Sequence, residues 1–196
     1  NAVEALRAGA FDFVTKPATN VSEGLNRMMQ ELRTKVKIAS TANVSHWKYK
    51  RVAQTASPRS TALAESTDKV IAIGASTGGT EAIREVLSNL PANAPGIVIV
   101  QHMPPGFTKM FSERLNQICP MVVKEAETGD RVMAGQALIA PGDRHMKVIR
   151  RGGIYSVECK AGDLVGGHCP SVEVLFQSVA KQVGANAIGV MLTGMS

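Results

Sequence analysis

Val70-Ile71-Ala72-Ile73-Gly74-Ala75-Ser76-Thr77-Gly78-Gly79-Thr80 decides how the rest of this chain is read. Four apolar residues with no polar alternation are the pattern of a strand covered on both faces, as in a parallel sheet. From Thr80 the apolar positions Ile83, Val86, Leu87 and Leu90 recur at helical spacing until Pro91 stops them. The glycines between strand and helix make a sharp turn. A turn of this kind exposes Ser76 Oγ and aims backbone N–H groups at whatever binds there.

Three chemistries fit that loop. Gly74-x-Ser76-x-Gly78 matches the nucleophile elbow, which makes Ser76 a candidate for covalent catalysis. Ser76 could equally cap the helix that follows. The third reading is a phosphate cradle, although a dinucleotide fingerprint needs glycine where Ser76 stands. A Walker A loop needs Lys-Ser/Thr where Thr80-Glu81 stands. The loop alone leaves all three open, so a nucleotide-binding α/β domain using Gly74–Gly79 is the rival of a hydrolase.

Outward from the loop, the alternation of strand and helix continues. Ile97-Val98-Ile99-Val100 repeats the buried-strand pattern, and Phe107–Ile118 is a second amphipathic helix. Met121–Ala126, Ala137–Ala140, Met146–Ile149 and Ile154–Glu158 are shorter, partly alternating strands, the last two joined by a hairpin turn at Arg151-Gly152-Gly153. Pro170–Val183 is a third helix, and Ala187–Leu192 reads as another core strand. The fold class is α/β, a largely parallel sheet flanked by helices.

Residues just past the strand ends of a parallel sheet share one edge, where ligands bind. Gln101-His102-Met103-Pro104-Pro105 follows the second strand, so periodicity alone puts Ser76 and His102 on that edge. Thr193–Ser196 falls on it too. A serine beside a histidine is what a hydroxyl nucleophile and its general base require. His145 and His168, also in turns, could each line the crevice at that edge, although neither follows a buried parallel-type strand, and His46 is in a polar stretch. No H-E-x-x-H-type metal motif is present, so no metal is expected.

Composition narrows the classes. Cys119, Cys159 and Cys169 are an odd set without C-x-x-C spacing, which reads as reduced thiols in a cytoplasmic protein. No apolar run approaches the roughly 18–20 residues of a membrane span, so no membrane insertion is expected. The net charge of +6 sits mostly between Lys35 and Asp68, with six basic and two acidic residues among Ala, Ser and Thr. Basic residues in such a stretch lack the folded face and stacking aromatics of a nucleic-acid site, and no nucleic-acid partner is expected.

Three domains are expected: residues 1–38, a basic flexible linker over 39–68, and 69–196. In the first, Ala2–Ala8 has a helical pattern, Phe11-Asp12-Phe13-Val14 reads as a short strand, and Val21, Leu25, Met28, Leu32 and Val36 line one face of a helix. The run Ala5 to Pro17, ending Phe13-Val14-Thr15-Lys16-Pro17, resembles the last third of a phosphoacceptor receiver domain. That resemblance makes Lys16 the phosphate-contacting lysine. It also implies a Mg2+ ion at the phosphorylation site, whose acceptor aspartate is expected upstream of Asn1.

Residues 69–196 carry several motifs in order. They are Gly74-Ala75-Ser76-Thr77-Gly78-Gly79, Val100-Gln101-His102-Met103-Pro104-Pro105, Ala140-Pro141-Gly142, His168-Cys169-Pro170-Ser171-Val172 and Met191-Leu192-Thr193-Gly194-Met195. Together they resemble the chemotaxis protein-glutamate methylesterase (CheB) family, in a domain incomplete at its C-terminus. The resemblance implies a serine hydrolase with no cofactor, demethylating glutamate methyl esters on chemoreceptor helices and able to deamidate glutamine. It makes Ser76 the nucleophile, His102 the general base, and Thr77 and Met195 the flanks of an oxyanion site. The orienting aspartate of the family is expected beyond Ser196. Methyl-accepting chemoreceptors and a chemotaxis histidine kinase are the implied partners.

Overall fold

A computed structural model describes Ala5, Ala10, residues 12–16, residues 21–41 and residues 69–194. It divides into two compact units, Asn1–Ser60 and Thr61–Ser196. In the first unit, helix α1 spans Val21–Thr41 and so runs three residues into the stretch read as linker. Residues 42–68 of that stretch, and nearly all of the helix expected over Ala2–Ala8, lie outside the described residues. The strand expected at Phe11–Val14 is not formed over residues 12–16. A strand exists only with a ladder partner, and none lies beside it among the described residues of this unit. The segment is held by Lys35 instead, whose Nζ donates to Phe13 O at 2.6 Å and pairs with Asp12 at 3.4 Å. Leu25, Leu32 and Val36, expected along one face of α1, are exposed in this unit.

The second unit is built on five parallel strands: β1 (Val70–Ala75), β2 (Gly96–Gln101), β3 (Val122–Glu125), β4 (Gln136–Ile139) and β7 (Ala187–Met191). Their order is β3-β4-β2-β1-β7. Strands β5 (His145–Arg151) and β6 (Ile154–Lys160) form a separate antiparallel hairpin. Its two-residue turn is Gly152-Gly153, with φ of 55° and 81°, which glycine adopts without strain.

Strand alternation splits the core into two faces. Val70, Ala72, Val98, Val100, Leu138 and Ala140 point toward the hairpin residues Met146, Val148, Tyr155 and Val157. The same layer holds Val172, Leu175, Val179 and Val183 of helix α4 (Val172–Val183). On the opposite face lie Ala75 and Gln101 beside the start of helix α2 (Gly79–Asn89). Helix α2 buries Ile83 and Leu87, and helix α3 (Phe107–Ile118) buries Phe111 and Leu115. Each fully buried aliphatic side chain contributes about 1.5–3 kcal/mol, so the strands hold their terminal turns firmly.

Among the described residues β7 pairs with β1 alone, and its Ile188 and Met191 are exposed there. From β1 the chain passes through α2 to β2 on one side, while α4 delivers β7 to the other. The β1/β7 boundary is therefore the switch point of the sheet, the place where open parallel sheets bind ligands past their strand ends.

Candidate active site

Ser76 is the first residue past β1 and His102 the first past β2. Because Ala75 and Gln101 are aligned in the parallel ladder, these two residues emerge side by side. Ser76 Oγ lies 3.2 Å from His102 Nδ1. The cap reading of Ser76 is not realised: the N-cap of α2 is Gly78, at φ 73°, and no side chain caps it. Two of the loop amides, which a phosphate cradle would need, are engaged within the protein. Ser76 N–H donates to Thr193 O at 3.1 Å, and Gly79 N–H donates to Ser76 O at 2.8 Å. Thr77 is buried, and a Cβ on Gly194 would overlap its amide, so the Thr193-Gly194 turn lies directly against the serine loop.

Gln101 and His168 complete this arrangement: the sequence offered His168 as a residue that could line the crevice, and gave Gln101 no role. Gln101, buried at the end of β2, donates from Nε2 to Ser76 O at 2.9 Å and to His102 O at 3.2 Å. One amide thus ties both reactive residues to the same strand. Room for it comes from Gly79, where a Cβ would overlap Gln101 Oε1 and sit 2.6 Å from Ala75 Cβ. Gly74 plays a similar part under Ser76: a Cβ there would overlap Val172 Cγ1, so β1 and α4 approach closely. The His168 ring stacks on His102 with centroids 3.7 Å apart and planes 13° from parallel.

The electrostatics suit a base. Burial, with a smaller contribution from His168, lowers the His102 pKa from 6.5 to about 4, so the ring is neutral in the neutral pH range. For Nδ1 to accept the serine proton, the ring hydrogen must be on Nε2. That nitrogen is buried and makes no hydrogen bond among the described residues. Of the other residues read from sequence, Met195 lies outside the described residues. Lys16 is exposed in the first unit. Among the described residues no group of three or more His, Cys, Asp and Glu is placed to hold a metal ion. No helix among them is long and apolar enough to cross a membrane.

A parallel α/β domain carrying a Ser–His pair beside its switch point is the scaffold of an α/β hydrolytic site. The chain belongs to the CheB methylesterase family, whose model matches residues 71–196. It is 63% identical over 196 residues to a protein-glutamate methylesterase/protein-glutamine glutaminase of Syntrophotalea carbinolica, a match covering 98% of this chain and 56% of that protein. It is 51% identical over 195 residues to the Escherichia coli protein of the same name, covering 98% of this chain and 54% of the relative. The chain thus spans about half the length of the curated relatives it matches. The crystal structure of the Thermotoga maritima CheB methylesterase catalytic domain superposes with a TM-score of 0.64 at 39% identity. That superposition covers 67% of this chain and 70% of the other.

Proposed function

We propose that residues 69–196 belong to a protein-glutamate methylesterase in which Ser76 is the nucleophile and His102 its general base. The observation that carries this reading is the 3.2 Å contact between Ser76 Oγ and a His102 nitrogen on a ring held neutral by burial. Ser76 Oγ attacks the γ-carbonyl carbon of a glutamyl methyl ester while His102 Nδ1 takes the hydroxyl proton. That proton passes to the departing methoxide, which leaves as methanol. A water molecule, deprotonated by the same nitrogen, then splits the acyl-enzyme to the glutamate carboxylate and restores Ser76. The same cycle on a glutamine side chain releases ammonia, which is the glutaminase activity in the relatives' names.

Backbone amides at Thr77 and Met195 are the proposed donors to the oxyanion. His102 Nε2 is the nitrogen we assign to an orienting aspartate, expected beyond Ser196. The chemistry calls for no cofactor. The substrates are methyl-accepting chemoreceptors in the cytoplasm, where a restored carboxylate changes the charge on the receptor helices. Regulation is proposed to come from a receiver domain phosphorylated by a chemotaxis histidine kinase. Lys16 would contact its phosphoryl group, and Mg2+ would be held at that phosphorylation site.

Methanol release from methylated receptors by the full-length protein tests the assignment. Ser76→Ala is expected to lower the rate by about 10⁴-fold or more, as losing the serine of a triad does. A near-normal rate would remove Ser76 from the mechanism.

A further inference from the structure

His168 is not needed to move any proton in the proposed reaction, yet its ring is the one laid flat against the base. The segment that presents it is built with care. Val165 and His168 exchange backbone hydrogen bonds, Val165 N–H to His168 O at 3.1 Å and His168 N–H to Val165 O at 3.2 Å. Gly166 and Gly167, at φ of 59° and 79°, close the two-residue turn between them. Both ends of this segment are pinned by a second histidine. His145, buried at the start of β5, accepts Ser171 N–H on Nδ1 at 3.2 Å. Its hydrogen is therefore on Nε2, which donates to Asp163 O at 2.8 Å. Asp163 and Ser171 bracket His168, so one buried imidazole holds the base of the loop. Gly162 leaves room for it, since a Cβ there would stand 3.0 Å from His145 Cδ2.

We propose that His168 is a positioning residue: its imidazole, held by the Asp163–Ser171 loop, fixes the ring plane of His102 and shields that ring from water. The need for such a device follows from the site. A histidine turns freely about χ2, and the single contact to Ser76 does not fix the ring against rotation about that line. A flat neighbour at 3.7 Å does, and being stacked on the face it does not itself block either nitrogen at the ring edge. His168 is itself exposed, so it stands between His102 and solvent. Facing His102 are Ser76 from the β1 turn and Gln101 from its own strand, both uncharged. His168 is the group whose charge acts on it. The inference deepens the proposed esterase reading, but its first readout does not need catalysis.

That readout is the titration of the His102 ring, followed by NMR in the full-length protein and in His168→Ala and His168→Phe. The exposed position makes both variants compatible with folding. In the parent protein the His102 midpoint is expected near 4. His168→Ala removes both cover and like charge, each of which favours the neutral ring, so the midpoint moves up toward the ordinary 6.5. His168→Phe keeps the flat cover and keeps most of the depression. If the midpoint reaches 6.5, the parent-to-Ala activity ratio grows by about tenfold between pH 8 and pH 5.5 from protonation alone. A His168→Ala midpoint equal to the parent's overturns the proposal, as does a Phe variant that rises as far as the Ala variant. If the parent protein released no methanol, the esterase reading would fail while the titration still decided the role of His168.

Discussion

Replacing Gly74 by alanine tests whether close contact between β1 and α4 sets the position of Ser76. A Cβ at residue 74 would overlap Val172 Cγ1 and lie 3.0 Å from Val172 Cγ2 and 3.1 Å from Met191 Sδ. Ordinary carbon–carbon contact is about 3.5–4.0 Å, so strand and helix must part by about an ångström or more. Met191 is exposed and can swing away, whereas Val172 is buried in the core layer and cannot. Overpacking of this kind costs about 1–3 kcal/mol. Val172→Ala alone deletes two buried methyl groups, at about 2 kcal/mol. In the double variant the new methyl enters the space that Val172 vacates, so the two costs should fall short of their sum by about 1–2 kcal/mol. Urea unfolding of the four proteins measures this: with m of about 2 kcal/mol/M, the shortfall appears as about 0.5–1 M in the midpoints. Methanol release should follow the same pattern, since Ser76 is two residues along the strand. Additivity within about 0.5 kcal/mol would refute the reasoning, because independent sites add and contacting ones do not.

Gln101→Glu keeps the shape but replaces the donor to Ser76 O and His102 O with a buried carboxylate oxygen facing two carbonyls. It should cost about 3 kcal/mol or more in urea unfolding and lower kcat, and full activity with parent stability would show that the amide is not the tether. Burial pushes the Cys119 and Cys159 thiols up to about 11. The thiolate fraction at pH 8 is then about a hundredfold below that of an ordinary cysteine. Both should be alkylated by iodoacetamide about a hundredfold more slowly in the folded protein than in urea, and equal rates would contradict that burial.

Local patterns made much of the second unit legible. Uninterrupted aliphatic runs at 70–73 and 97–100 could only be strands covered on both faces, and amphipathic spacing marked the helices after them to within one or two residues. Pairing was not legible: residues 12–14 join no ladder among the described residues, and β7 pairs there with β1 alone, because composition does not record which neighbours a strand finds.

The same division runs through the site. Ser76 and His102 were placed on one edge by sequence, because each directly follows a strand of one parallel sheet and the strand direction fixes where its end falls. Their 3.2 Å contact needed the β1–β2 register, which is a property of the paired strands. Gln101 could be quoted from the sequence but not understood, since its tether crosses to a residue 25 positions away. His168 could be named from sequence as a residue able to line the crevice but not placed, since no parallel strand precedes it; the Asp163–Ser171 loop, pinned by His145, carries its ring over His102. The sequence by itself determined which elements form and which residues stand at their ends, since these depend on neighbours along the chain. Tertiary structure decided which ends meet, because contact at a few ångströms depends on how distant elements pack.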